Sequence, residues 1–178
     1  MFKRRYAMPV AVLISLLPAS LWAQAIELPQ RQTPVPETTP GVPHIQLNVT
    51  PRPALSEALL ERVGALPGVI LGPTRVSLPG AVGFQLASDV DLARPDVIVG
   101  GREFAHLHPD GSLHASLDPS VAQAAVATGW ATPHPWANQR AGWEGFVMIF
   151  TPQTPAELDV VTTLVESGYS FVTGQAVP

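Results

Sequence analysis

The 178-residue chain contains no cysteine. This removes disulfides, thiolate metal sites, iron–sulfur clusters and cysteine nucleophiles from consideration. Its only lysine is Lys3, so Schiff-base chemistry, a P-loop lysine and a lysine general base are excluded from the body of the protein. Charged residues are scarce at 13%, while hydrophobic residues reach 46%. That balance is too apolar for a disordered polyelectrolyte and sufficient for a core. No Gly-x-Ser-x-Gly or His-Glu-x-x-His occurs, and Gly100-Gly101 lacks the spacing of a dinucleotide fingerprint. No flavin or nucleotide motif is therefore present.

Proline is abundant at 20 residues, and much of it lies near the N-terminus. Lys3, Arg4 and Arg5 precede the apolar run Ala7–Leu17, and Leu21-Trp22-Ala23-Gln24-Ala25 follows. A basic start, a short apolar stretch and an Ala-x-Ala end predict a secretory signal over residues 1–25. The run falls short of the roughly 20 residues needed to span a bilayer, so no stable span is expected after cleavage. The expected destination is the periplasm or the extracellular space. All 14 Asp and Glu lie beyond Ala25, and three of the 10 Lys and Arg lie before it. The mature charge is thus 7 minus 14, or −7, which opposes nucleic-acid binding. Residues 26–44 carry Pro29, Pro34, Pro36, Pro40 and Pro43, the composition of an extended linker or tether.

The remainder, residues 45–178, reads as one domain. Leu55, Leu59, Leu60 and Val63 predict a helix over 53–66. Short strands are expected at 69–71, 75–78 and 82–87, broken by Gly-Pro and Pro-Gly turns. Two alternating strands, 102–108 and 112–117, flank Pro109-Asp110-Gly111. Asp118-Pro119 opens a helix, 145–150 reads as a buried strand, and Thr154-Pro155-Ala156-Glu157 has the spacing of a capping box before a last helix. This order predicts an α+β fold with a largely antiparallel sheet and flanking helices.

The hairpin carries the chemistry. Side chains alternate along a strand, so Ala105, Leu107, Leu113, Ala115 and Leu117 form a core face. The other face takes Arg102, Phe104, His106 and His108, then Ser112, His114 and Ser116. A three-residue loop sets His108 opposite Ser112, His106 opposite His114, and Arg102 opposite Asp118. Glu103 points to the core by parity. Three imidazoles in one neighbourhood can act as acid and base, or His106, His108 and His114 can hold a divalent metal. His134, fixed between Pro133 and Pro135, with Trp130 and Trp136 beside it, is a candidate loop over an aromatic ligand.

These residues carry a resemblance. Arg102-Glu103-Phe104-Ala105-His106-Leu107-His108, Ser112-Leu113-His114, Gly129-Trp130, His134-Pro135, and Pro152 with Glu157 resemble the fungal luciferase family over about residues 102–174. Luciferase-domain proteins also occur widely in bacteria. The fungal enzymes oxidise a hydroxylated pyrone-type substrate with dioxygen and without flavin. The resemblance implies a small-molecule pocket lined by His106, His108, His114 and His134, with His106 and His114 as base pair or metal ligands. Arg102, Phe104, Trp130 and Trp136 are the expected substrate contacts. This chain is shorter, and a leader is expected where the fungal enzymes have a membrane segment, so light emission does not carry over. The alternative is a non-catalytic metal-binding or interaction module on a proline-rich tether.

Overall fold

A computed structural model describes residues 26–177; the expected signal peptide lies outside them. The short strands β1 (Glu37–Thr38) and β2 (Gln46–Leu47) pair with one another. Then follow α1 (Pro53–Gly64), β3 (Val69–Pro73), β4 (Val82–Leu86), β5 (Glu103–Leu107), β6 (Leu113–Ser116), α2 (Pro119–Ala127), β7 (Ala131–Pro133), β8 (Phe146–Ile149) and α3 (Pro155–Thr173). The main sheet has six strands in the order β3-β4-β5-β6-β8-β7, every pair antiparallel. The α+β architecture is as expected. Among the described residues no helix is long and apolar enough to cross a membrane.

The helices α2 and α3 start where their caps require. Asp118 accepts from the Ser120 N–H and Thr154 from the Glu157 N–H, each with proline in the first helical turn. Both bonds satisfy amide donors that the helix itself leaves unpaired. The Glu157 carboxylate returns to the Gln153 N–H at 2.9 Å, one residue beyond the usual partner of a capping box. From α3, Leu158, Val161, Leu164, Val165, Tyr169 and Val172 enter the core beneath the sheet. Tyr169 reaches across to donate to the Pro67 carbonyl at 3.0 Å.

Two departures from the sequence reading matter for the site. The expected strand at 75–78 is a bend, because its polar groups leave the ladder: the Arg75 N–H donates to Glu103 and the Val76 N–H to Thr74 Oγ1. Residues 26–44 are not a free tether. Arg31 is buried, its backbone N–H donates to the Thr128 carbonyl at 2.9 Å, and its guanidinium pairs with Glu157 at 3.1 Å. It also donates to the Thr151 carbonyl and lies over the Trp130 and Phe150 rings. A proline-rich stretch makes few hydrogen bonds of its own. Here isolated anchors fasten it, and they leave no periodic trace in the sequence.

Candidate functional site

β5 and β6 pair in the expected register, with His106 opposite His114 and Leu107 opposite Leu113. The His108 N–H donates to the Ser112 carbonyl at 2.8 Å, and Gly111 turns the loop with φ +89°. His106, His108 and His114 therefore lie together on the sheet face opposite the helices. His134, at the end of β7, joins them with its ring 4.6 Å from that of His114. The fifth histidine arrives from far away in sequence: His44 stacks on His114, with Nδ1 3.2 Å from His114 Nε2. All five histidines of the chain meet in one pocket of about 220 Å³. Val42, Val76, Leu78, Val99, Trp136 and Phe146 supply its apolar walls.

The sequence reading missed His44. The only available signal was that the chain has just five histidines and that this one closes the proline-rich segment. It missed the role of Glu103 for a different reason. Between β4 and β5 the pairing slips, with Phe84 opposite Ala105 but Gln85 opposite Glu103, leaving Phe104 as an extra residue. Such a bulge reverses the faces of the residues before it. Phe104 consequently enters the core against Phe84 and Tyr169, and Glu103 reaches the histidine face.

Three expected substrate contacts lie away from the pocket lining. Phe104 is a core residue. Arg102 does not meet Asp118 or the pocket; its guanidinium donates to the carbonyls of Leu86, Ala87 and Val90, tying down the turn after β4. Trp130 is buried beneath Arg31 and donates from Nε1 to the Pro29 carbonyl at 2.6 Å, so it anchors the N-terminal segment. Trp136 does line the pocket, edge-on to His134.

The polar contacts form a chain. Glu103 Oε1 lies 3.0 Å from His106 Nδ1, and His106 Nε2 lies 3.1 Å from His114 Nδ1. The contact between His114 Nε2 and His44 Nδ1 continues the line. Glu103 is held from behind by the Thr74 hydroxyl and the Arg75 N–H, at 2.7 and 2.8 Å. Gly83, opposite His106, makes room for it: a Cβ there would stand 2.5 Å from Glu103 Oε2. On the other side His108 Nδ1 meets Ser112 Oγ at 2.9 Å, and Ser112 donates to Asp110 Oδ1 at 2.8 Å.

Burial sets the charge state. Removal from water, reinforced by the neighbouring rings, lowers the His114 pKa and takes His108 down to about 4 and His134 to about 3. Burial also lowers His44. Burial alone would raise the Glu103 carboxyl, but the bonds from His106, Thr74 and the Arg75 backbone hold it below the usual range. The centre thus combines neutral imidazoles at His44, His108, His114 and His134 with an anionic carboxylate at pH 7, the state in which imidazole lone pairs accept protons or bind metals. Two sets, His44-His114-His134 and His106-His108-His114, place one nitrogen per ring within 4.8 Å of one another and can hold an ion.

A family model described as a luciferase domain matches residues 101–168. The match begins just before β5 and ends within α3. It contains His106, His108, His114, His134 and Glu103, but not Arg31 or His44. The chain is also similar to a luciferase of Armillaria ostoyae, at 27% identity over 169 residues, covering 83% of this chain and 62% of that protein. The chain therefore spans less than two thirds of this curated relative. No solved structure matches it.

Proposed function

We propose that this is an exported protein whose histidine pocket binds a small aromatic or enolic molecule and oxidises it with dioxygen. The observation that carries the reading is the convergence of five histidines on an apolar-walled pocket, within a chain similar to a luciferase. Size narrows the ligand. A cavity of about 150 Å³ accepts benzene, so about 220 Å³ suits one substituted ring. Trp136 and Phe146 give such a ring flat neighbours.

The chemistry follows from the charge state. An acidic enol loses its proton to a neutral ring nitrogen, and the resulting carbanion adds dioxygen. The peroxide anion then recovers the proton, so that substrate and dioxygen combine into one hydroperoxide with no other reductant. Apolar walls favour this sequence by keeping water from the anion.

Oxygen uptake with a panel of single-ring 4-hydroxy-2-pyrones, catechols and phenols tests the reading, with mass analysis for a product containing both oxygen atoms. Uptake is expected with at least one class. His106→Ala and His114→Ala, checked for folding by circular dichroism, should lower it by about 10²–10⁴-fold, the usual contribution of a positioned acid–base group. If no compound in the panel binds or reacts, or if both variants keep full turnover, the proposal is wrong.

A further inference from the structure

We infer that His106 Nε2, His108 Nε2 and His114 Nδ1 form a site for one first-row divalent cation of the zinc type, with Glu103, Ser112 and His44 positioning the three rings. A neutral imidazole carries one proton, so the partner of one nitrogen fixes whether the other has a free lone pair. The carboxylate of Glu103 only accepts, so His106 is protonated at Nδ1 and its Nε2 is bare. The Ser112 hydroxyl gives its hydrogen to Asp110 and therefore accepts from His108 Nδ1, which leaves His108 Nε2 bare. His114 Nε2 faces His44 Nδ1. When the shared proton sits on His114 Nε2, His114 Nδ1 becomes the third lone pair.

The rival set fails the same test. His134 Nδ1 accepts from the Trp136 N–H at 3.0 Å, so its proton lies on Nε2 and neither nitrogen is free. Among the described residues, the proton inventory thus selects one of the two geometric candidates. Each chosen ring has a distinct polar partner on its far nitrogen, the arrangement that orients histidine ligands and keeps them in the metal-binding tautomer.

Ligand chemistry sets the class of ion. Three neutral imidazoles without carboxylate or thiolate suit zinc and its first-row neighbours, not magnesium or calcium. Tetrahedral Zn–N bonds of about 2.1 Å put ligand nitrogens roughly 3.4 Å apart, close to the 3.1 Å between His106 and His114. Without an ion, His114 Nδ1 can instead donate to His106 Nε2 and accept from His44 at Nε2. Binding therefore turns two tautomers. All three ligands line the pocket, so a remaining coordination position faces the bound molecule. This deepens the preceding reading and rests on it only for the organic ligand: an enol oxygen bound to the ion would ionise without a free imidazole.

The test uses protein made without a histidine tag, stripped with a chelator and titrated with Zn²⁺. Elemental analysis after gel filtration should find one zinc per chain. Histidine ¹⁵N spectra of the loaded wild type should show two rings metallated at Nε2 and one at Nδ1. His106→Ala should abolish retention, Glu103→Gln should weaken it by about 10–100-fold, and His134→Ala should leave it unchanged. The spectra decide the matter even if a variant does not fold. Absence of zinc, retention that survives His106→Ala but not His134→Ala, or a protonated Nδ1 on His114 in the loaded protein would overturn the site. Zinc retention with no panel compound bound or oxidised would sink the oxidation reading alone, and oxidation by protein that retains no added zinc would sink this one alone.

Discussion

Arg31→Ala is expected to cost the fold about 3–5 kcal/mol, the usual penalty for removing one partner of a buried ion pair. Urea unfolding monitored by tryptophan fluorescence should read it as a lower midpoint at unchanged slope. The guanidinium has three kinds of partner that alanine cannot replace: the Glu157 carboxylate at 3.1 Å, the Thr151 carbonyl at 2.9 Å, and the faces of Trp130 and Phe150. Among the described residues its Nε and Nη1 find no hydrogen-bond acceptor, which suits a group held largely by aromatic faces and one anion. Without it Glu157 stays buried with, among the described residues, the Thr33 hydroxyl and the Gln153 N–H.

The consequence extends to the pocket, because Arg31 fastens the segment that ends in His44. Limited proteolysis should cut residues 32–43 of Arg31→Ala faster than those of the wild type. Adding Glu157→Gln should recover part of the loss, since the stranded charge is then gone. A penalty below about 1 kcal/mol, the range of exposed pairs, would show that the segment is held by something else.

The second large effect is acid lability. His108 and His134 have folded-state pKa values of about 4 and about 3, below the unfolded value of about 6.5. Between these limits the unfolded chain binds more protons, so stability is complete above about pH 6.5 and falls as the pH drops toward the folded values. For His108 alone the loss at pH 4 is on the order of 3 kcal/mol. His114 and His44, also shifted downward, act in the same direction. Glu103, whose folded pKa is lowered, adds a loss in the more acidic part of the range, where its carboxylate is titrated. Thermal melts of chelator-treated protein should fall steeply from pH 7 to pH 4.5, and His108→Asn should flatten the slope. A melting temperature constant over that interval would contradict the buried neutral cluster.

Much of the centre was legible because it is local. Alternation and a loop closed by Gly111 suffice to pair His106 with His114, since a hairpin's register depends only on residues within it. Helix starts at Pro53, Pro119 and Pro155 were equally readable, because a first-turn proline, joined at the last two by a capping side chain, acts within a single turn. The capping pattern at Thr154 said nothing, however, of the Arg31 that Glu157 also binds.

The sequence by itself determined an α+β chain with a histidine-bearing hairpin and the helices that cover its apolar side. Tertiary structure decided which residues complete the centre. The bulge at Phe104, where Phe84 and Tyr169 receive the ring, exchanged the faces of Phe104 and Glu103. It turned an expected ligand contact into core and an expected core acid into a partner of His106. Likewise His44 meets His114 across 70 residues, and Arg31 meets Thr151 across 120. Periodicity reports which way a side chain points within its own element. It carries no information about a bulge forced by packing against other elements, or about a distant segment held by single polar anchors, because both depend on space that exists only once the sheet and helices have assembled.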